Sequence, residues 1–211
     1  RQNQSTTTRL DNQTTAPDGS STAGSIASTN AVYGGLLRQT PATTATTYTM
    51  SAYVKKNNWS YVGLRLGSLN GAGDKYAFFN FDTLATSTNG ISGATFTATS
   101  VGNGWYRLVL SGVVAANAGS ACDVAVVASD GSSATNNGAG QIVYVWGVQL
   151  ELGSTANTYI PTTTTAIYGT PTLSFSGAAN IGLQSDGSLY VQPAGTGALQ
   201  AQATTSSAVG G

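Results

Sequence analysis

The sequence predicts an all-β fold, a jelly-roll β-sandwich followed by a short β-rich oligomerisation segment. Three observations carry that expectation. Apolar residues recur at a period of two wherever they recur at all, and no segment shows a 3.6-residue apolar stripe. The alternating stretches are separated by short runs such as "APDGSS", "NGAGD", "VGNGW" and "SDGSSATNNGAG", each with Gly, Asn or Asp where a turn needs a positive φ or an Asx bond. About nine short strands at near-regular spacing, punctuated in this way, suit a two-sheet sandwich.

Strands are expected at 24–29 and 35–40. In "TTYTMSAYVKK" Tyr48, Met50, Ala52 and Val54 share one face and Thr47, Thr49, Ser51 and Lys55 the other, which is the pattern of a half-buried strand. "WSYVGLRLG" sets Val62, Leu64 and Leu66 against Tyr61, Gly63 and Arg65. "KYAFFNFD" opposes Ala77, Phe79 and Phe81 to Tyr76, Phe78, Asn80 and Asp82. Further strands are expected at 94–99, 104–114, 122–129 and 140–152. The core between the sheets is expected to hold Val62, Leu64, Leu66, Phe79, Phe81, Leu108, Leu110, Val124, Val126, Tyr144, Trp146 and Val148.

The chain changes character after Pro161. Residues 1–163 read as the sandwich and 164–170 as a linker. Residues 171–211 contain only short alternating pieces, with Asp186–Gly187 as a hairpin signal. So few large apolar residues cannot close a core in about 40 residues, so this segment is expected to complete itself with other copies. A homotrimer follows, with Leu173, Phe175, Ile181, Leu183, Leu189 and Val191 at the contacts between chains.

Composition narrows the function. Only 8% of the 211 residues are charged, and eight Lys and Arg balance eight Asp and Glu, so the net charge is zero. There is no broad positive field to draw nucleic acid or an anionic membrane surface. No apolar run of 18 residues is present, so membrane insertion is not expected. The sequence contains no His and a single Cys, Cys122, which removes His-based acid–base chemistry, Cys–His nucleophiles, His/Cys zinc sites and an intrachain disulfide. Cys122 shares its face with Val124 and Val126 and reads as buried and inert. The chain opens on "RQNQSTTTR" without Met, which leads to the expectation of a piece of something longer.

Four motifs, "NQTTAPDGSSTA" (12–23), "YTMSAYVKK" (48–56), "SVGNGWYRLVLSG" (100–112) and "VYVWGVQLELGSTANTYIPTT" (143–163), stand in the order of a known domain. Over residues 10–163 the chain resembles the carbohydrate-binding-module-like jelly-roll domain of tailed-bacteriophage structural proteins, found in tail fibres, head fibres and capsid decoration proteins. That family ordinarily begins with a further aromatic segment before the "APDG" turn, which this sequence lacks. The closing "LQAQATTSSAVGG" resembles the approach to the Gly-rich shafts of trimeric fibres. The resemblance implies a non-enzymatic virion protein on the particle surface whose partners are its own copies and other virion proteins. The alternative is a glycan-binding module that attaches to host surface polysaccharide, and a remoter one is a polysaccharide depolymerase.

In the related carbohydrate-binding modules the last long strand carries acids that hold calcium or face sugar. Here Trp146 and Gly147 stand where those acids are expected, and a lone Glu supplies at most two of the six to eight oxygens calcium needs. Neither metal nor cofactor is expected. Gln149 and Glu151, polar residues in an otherwise apolar strand, are expected to hydrogen-bond backbone on a face that meets a neighbouring subunit. For a sugar contact the candidates are Trp59, Tyr61, Arg65, Tyr76, Asn80, Trp105, Arg107, Gln149 and Glu151, since rings stack on sugar C–H faces and Arg or Asn forks pairs of hydroxyls. Trp59 is expected near a loop edge, while Trp105 is expected to pack over the sandwich end. The acids are Asp11, Asp18, Asp74, Asp82, Asp123, Asp130, Glu151 and Asp186. Four of them lie in Gly-rich turns and no spacing pairs the others, so no catalytic residues are expected.

Overall fold

Alternating Val, Leu and Phe on one face and hydroxyls on the other fold this chain into two antiparallel sheets that bury their apolar faces against each other. The structure, a computed structural model, describes residues 2–3, 7–29, 36–67, 69, 75–117, 119–128, 139–161, 172–176, 179–183, 189–193 and 200–204. Among these residues every regular element is a strand. The expected positions Asp74 and Asp130, the Asp186–Gly187 turn and the linker 164–170 lie outside the described residues.

The first sheet joins β1 (Gln2–Asn3), β4 (Leu36–Gln39), β11 (Cys122–Val126), β6 (Tyr61–Leu66), β7 (Ala77–Asn80) and β8 (Thr86–Ser87), in that order. The second joins β2 (Thr7–Thr14), β3 (Ala23–Ser28), β12 (Ile142–Leu152), β5 (Thr46–Lys56), β10 (Trp105–Val114) and β9 (Thr95–Gly102). The expected strands of the sandwich are present with ends shifted by up to three residues. The two-residue strands β1 and β8 and the edge strand β2 are additional. The β2 sequence, TTRLDNQT, is mostly exposed and has no apolar alternation to reveal it. Asp82 lies in the turn after β7, not in a strand, because the Asn80 side chain accepts hydrogen bonds from the Asp82 and Thr83 amides and curls the chain.

Between the sheets Val62, Leu64, Leu66, Phe79, Phe81, Val124 and Val126 of the first meet Leu108 and Leu110 of the second, all buried as expected. Met50, Ala52, Val54, Ile26, Val143 and Leu150 complete that core. Phe79 sits at its aromatic centre, with ring centroids 5.1 Å from Phe81 and 4.9 Å from Tyr106.

Tyr144 and Trp146 depart from the expectation. They are half-buried on the outer face of the second sheet, grouped with Trp105 and Tyr53 rather than with the core. The cause is a bulge. Trp146 pairs with Tyr53 and Gln149 with Ser51, so β12 advances three residues while β5 advances two. Before the bulge Val143 and Val145 face inward; after it Val148 and Leu150 do. Gly147 makes the step at φ 58°, where a Cβ would lie 2.9 Å from the Tyr53 ring. Outside the core, Trp105 is fully buried over the outer face, its indole N–H bonded to the Thr15 carbonyl at 3.0 Å.

The chain divides into a unit ending at Ile167 and a second unit, Tyr168–Ser207. The second holds β13 (Thr172–Ser176) paired with β16 (Gln200–Thr204), and β14 (Ala179–Leu183) paired with β15 (Leu189–Pro193). Each pair is a separate two-stranded ribbon.

Replacing Phe79 with Ala should cost about 3–5 kcal/mol, read as a lower urea midpoint at unchanged slope. Burial pushes the Cys122 thiol up to about 12, with the neighbouring Asp123 charge adding to the shift. A pKa raised in the folded state contributes stability that is complete below the ordinary value of 9.0 and is lost as pH rises toward 12. The Cys122 contribution to urea stability should therefore be constant up to pH 9 and be lost above it, so stability should fall less steeply above pH 9 in Cys122→Ala. The native thiol should resist alkylation at pH 8 and react once the protein is unfolded.

Candidate functional site

The nine residues nominated for a sugar contact are split between the two sheets, because β6 and β7 belong to one and β10 and β12 to the other, and Trp59, before β6, packs against the core between them. On the first sheet Arg65 and Tyr76 are buried around Asp123, which is fully enclosed. The Asp123 carboxylate accepts from Arg38 Nε at 2.7 Å and Nη2 at 2.9 Å, from Arg65 Nη2 at 2.7 Å and from the Tyr76 hydroxyl at 3.0 Å. The Arg65 guanidinium also lies 5.4 Å from the Tyr76 ring centre. Such a cluster is structural: removing its anion would strand the buried Arg65 and the half-buried Arg38. Trp59, Tyr61 and Phe78 form a tilted aromatic row near it, with neighbouring centroids 6.0 and 6.5 Å apart. Trp59 is half-buried, its N–H bonded to the Val127 carbonyl at 2.9 Å. Asn80 is engaged in its own turn.

Trp105, Arg107, Gln149 and Glu151 share the outer face of the second sheet, where the chain folds back on itself. At Gly153, φ 95°, the strand ends, and residues 153–161 return across the outer side of β12 as a strap. Beyond the Gly153 amide, which donates to the Thr47 carbonyl at 2.9 Å, side chains of the sheet hold its backbone. Thr49 Oγ1 donates to the Gly153 carbonyl at 2.7 Å. The Glu151 carboxylate accepts from the Asn157 amide at 3.1 Å and from its side chain at 2.7 Å. Gln149 accepts from the Ile160 amide at 2.8 Å and donates to the Thr158 carbonyl at 3.4 Å. Arg107 donates to the Asn157 carbonyl and lies over the Tyr53 ring. Tyr159 closes edge-on against Trp146, centroids 4.6 Å apart. The expected backbone bonding of Gln149 and Glu151 is thus met within this chain, by a segment the chain itself supplies.

Where the strap leaves the sheet, it borders a cleft of about 340 Å³ that the sequence reading did not anticipate. It is lined by Ile26, Val145 and Val148, whose side chains belong to the core side of β3 and β12, and by Trp146 and Tyr159 of the outer face. Its rim carries Asp18 and Ser20 of the "APDG" turn, together with Arg9 and Asp11. A hydrogen-bond chain spans rim and wall. Trp146 Nε1 donates to Thr22 Oγ1 at 3.0 Å, Thr22 and Ser20 hydroxyls meet at 2.6 Å, and Ser20 Oγ donates to Asp18 Oδ1 at 2.7 Å. With Ser20's proton committed to Asp18, Thr22 donates to Ser20, so every donor in the relay points toward the carboxylate. Hydrogen bonds from the Ser20 hydroxyl and amide hold Asp18 below its ordinary pKa of 3.8. Asp11 is paired with Arg9, whereas Asp18 has no cationic partner among the described residues. The "APDGSST" stretch was legible as a turn, but only the bulge at Gly147 brings Trp146 to it.

Replacing Glu151 with Ala should leave the Asn157 amide unpartnered and loosen the strap while sparing the sandwich. Hydrogen exchange at Asn157 and Ile160 should accelerate at least about tenfold, with β5 and β10 amides unchanged.

A comparison of the chain with models of protein families finds no match, and a comparison with curated proteins finds none either.

Proposed function

We propose that this chain is a non-enzymatic structural protein of a bacteriophage particle, a fibre or capsid-decoration component that carries a jelly-roll domain on the virion surface and assembles as a homotrimer. The observation that carries the reading is the strap. It engages the polar residues of the second sheet's outer face, Gln149, Glu151 and Arg107, in holding the chain's own backbone, so this face serves cohesion. Acids are similarly engaged: Asp123 with Arg38 and Arg65, Asp82 with Lys56 and Ser60, and Asp11 with Arg9. Proton transfer in glycoside cleavage needs two acids poised about 5–9.5 Å apart across one bond, which such pairing does not favour. The motif resemblance over residues 10–163 supplies the phage context, and partners would be other virion proteins.

The second unit supports assembly. Two-stranded ribbons are marginal alone and present unpaired edges. The register sets Ile181 opposite Val191, Leu183 opposite Leu189, Leu173 opposite Ala203 and Phe175 opposite Ala201. Three copies around an axis would cover these edges, and a surface poor in charge can be buried without desolvating ions. A dedicated glycan receptor at the nominated residues would need one platform, whereas they are split between the two sheets.

Sedimentation of the full chain should give a trimer and of residues 1–163 a folded monomer; a trimeric truncation would place the contacts in the sandwich. Incubation of the full chain with host-surface polysaccharide should release no new reducing ends, and release would overturn the non-enzymatic reading.

A further inference from the structure

The cleft beside the strap does no work in the structural role proposed above, and its chemistry is specific. Its volume, about 340 Å³, falls at the small end of the range of about 300–1,000 Å³ typical of ligand pockets. Its lining includes the apolar side chains of Val148, Trp146, Tyr159 and Pro161. The Trp146 and Tyr159 rings cross at 62°, which forms a corner and not the flat platform on which a pyranose stacks. At the rim the relay from Trp146 through Thr22 and Ser20 fixes Asp18, the one rim carboxylate without a cationic partner among the described residues. An anion would be repelled by that charge; a neutral polyol could donate hydroxyls to this exposed carboxylate but would bring no charge to pair with it. The charged lining residues Arg9, Asp11 and Asp18 leave one negative charge over, so a compact cation with an apolar body suits the cleft: the Asp18 carboxylate for the charge, and the Trp146 and Tyr159 rings with Val148 and Pro161 for the hydrocarbon.

We propose that this cleft binds a compact organic cation, an ammonium group carried on a short apolar body, with its charge between Asp18 and the Trp146–Tyr159 corner. Asp18 and the two rings contact the ligand, and Ser20 and Thr22 are positioning residues that hold the carboxylate toward the indole. The assignment is independent of the virion reading, since it rests on the sandwich and strap alone.

Calorimetric titration of the full chain tests it, with choline and tetramethylammonium as probes and 3,3-dimethyl-1-butanol, the neutral isostere of choline, as control. Both cations should bind saturably, about tenfold or more tighter than the isostere. Asp18→Asn keeps a side-chain acceptor for the turn and should weaken choline about tenfold with an unchanged melting temperature. Ser20→Ala should weaken it less, and the Trp146 indole N–H resonance should shift on choline addition in the wild type. Equal affinity for cation and isostere, indifference to Asp18→Asn, saturable binding of a neutral hexose with equal affinity, or no saturable heat up to about 50 mM choline would each overturn the proposal.

Discussion

One inserted residue organises this molecule. The bulge at Gly147 reverses the face of β12 midway along its length, so that Val143 and Val145 on one side of the step and Val148 and Leu150 on the other all reach the core. The same reversal leaves Tyr144, Trp146, Gln149 and Glu151 together on the outer face, a set that no unbroken alternation could assemble. Everything on that face depends on it: the aromatic seat for Tyr159, the two amide and carboxylate side chains that hold the strap, and the wall of the cleft. A Cβ at Gly147 would meet both the Tyr53 and Tyr159 rings, so the residue that permits the step also permits the strap to lie close.

The scarcity of charge has a structural counterpart. The enclosed Asp123 is surrounded by two arginines and a phenol, and the strap is held by amide, carboxylate, guanidinium and hydroxyl contacts to its backbone. Burial pushes the Tyr76 hydroxyl well above its ordinary pKa, aided by the Asp123 charge, so the cluster's phenol stays a donor. Buried networks of this kind are unforgiving of a missing member, and that makes them suited to fixing one arrangement of strands rather than to exchanging protons.

Much of the fold was legible. Period-two alternation in β5, β6, β10 and β11 reported both strand positions and the buried face, because those strands run unbroken with one face on the core. It misassigned Trp146 and Tyr144 because a bulge leaves the apolar pattern superficially continuous; the single glycine within the strand was the available signal. It missed β2 because an exposed edge strand has no apolar face to alternate. Gln149 and Glu151 were recognised as backbone partners, but what they hold was not, since the strap's path depends on a turn at Gly153 that carries no apolar signature. The cleft was not legible at all: it joins residues near 18–22 to residues near 146–161, a proximity created only by the pairing of β3 with β12.

The strap also sets how this domain would respond to tension. Traction applied beyond Pro161 meets the strap before it meets any sheet ladder, and it meets the fasteners in sequence: Ile160 on Gln149, then Asn157 on Glu151, then Gly153 on Thr49. Fasteners aligned to open one after another yield at low force, whereas the β12 ladders behind them, shared with β3 and β5, resist together. Nine residues paid out at roughly 3.4 Å each would give about 30 Å of slack before the sandwich itself is strained. Under such a pull the strap would lengthen before the sandwich does, while Gln149, Glu151 and Thr49, the side chains it leaves, stay on the sheet.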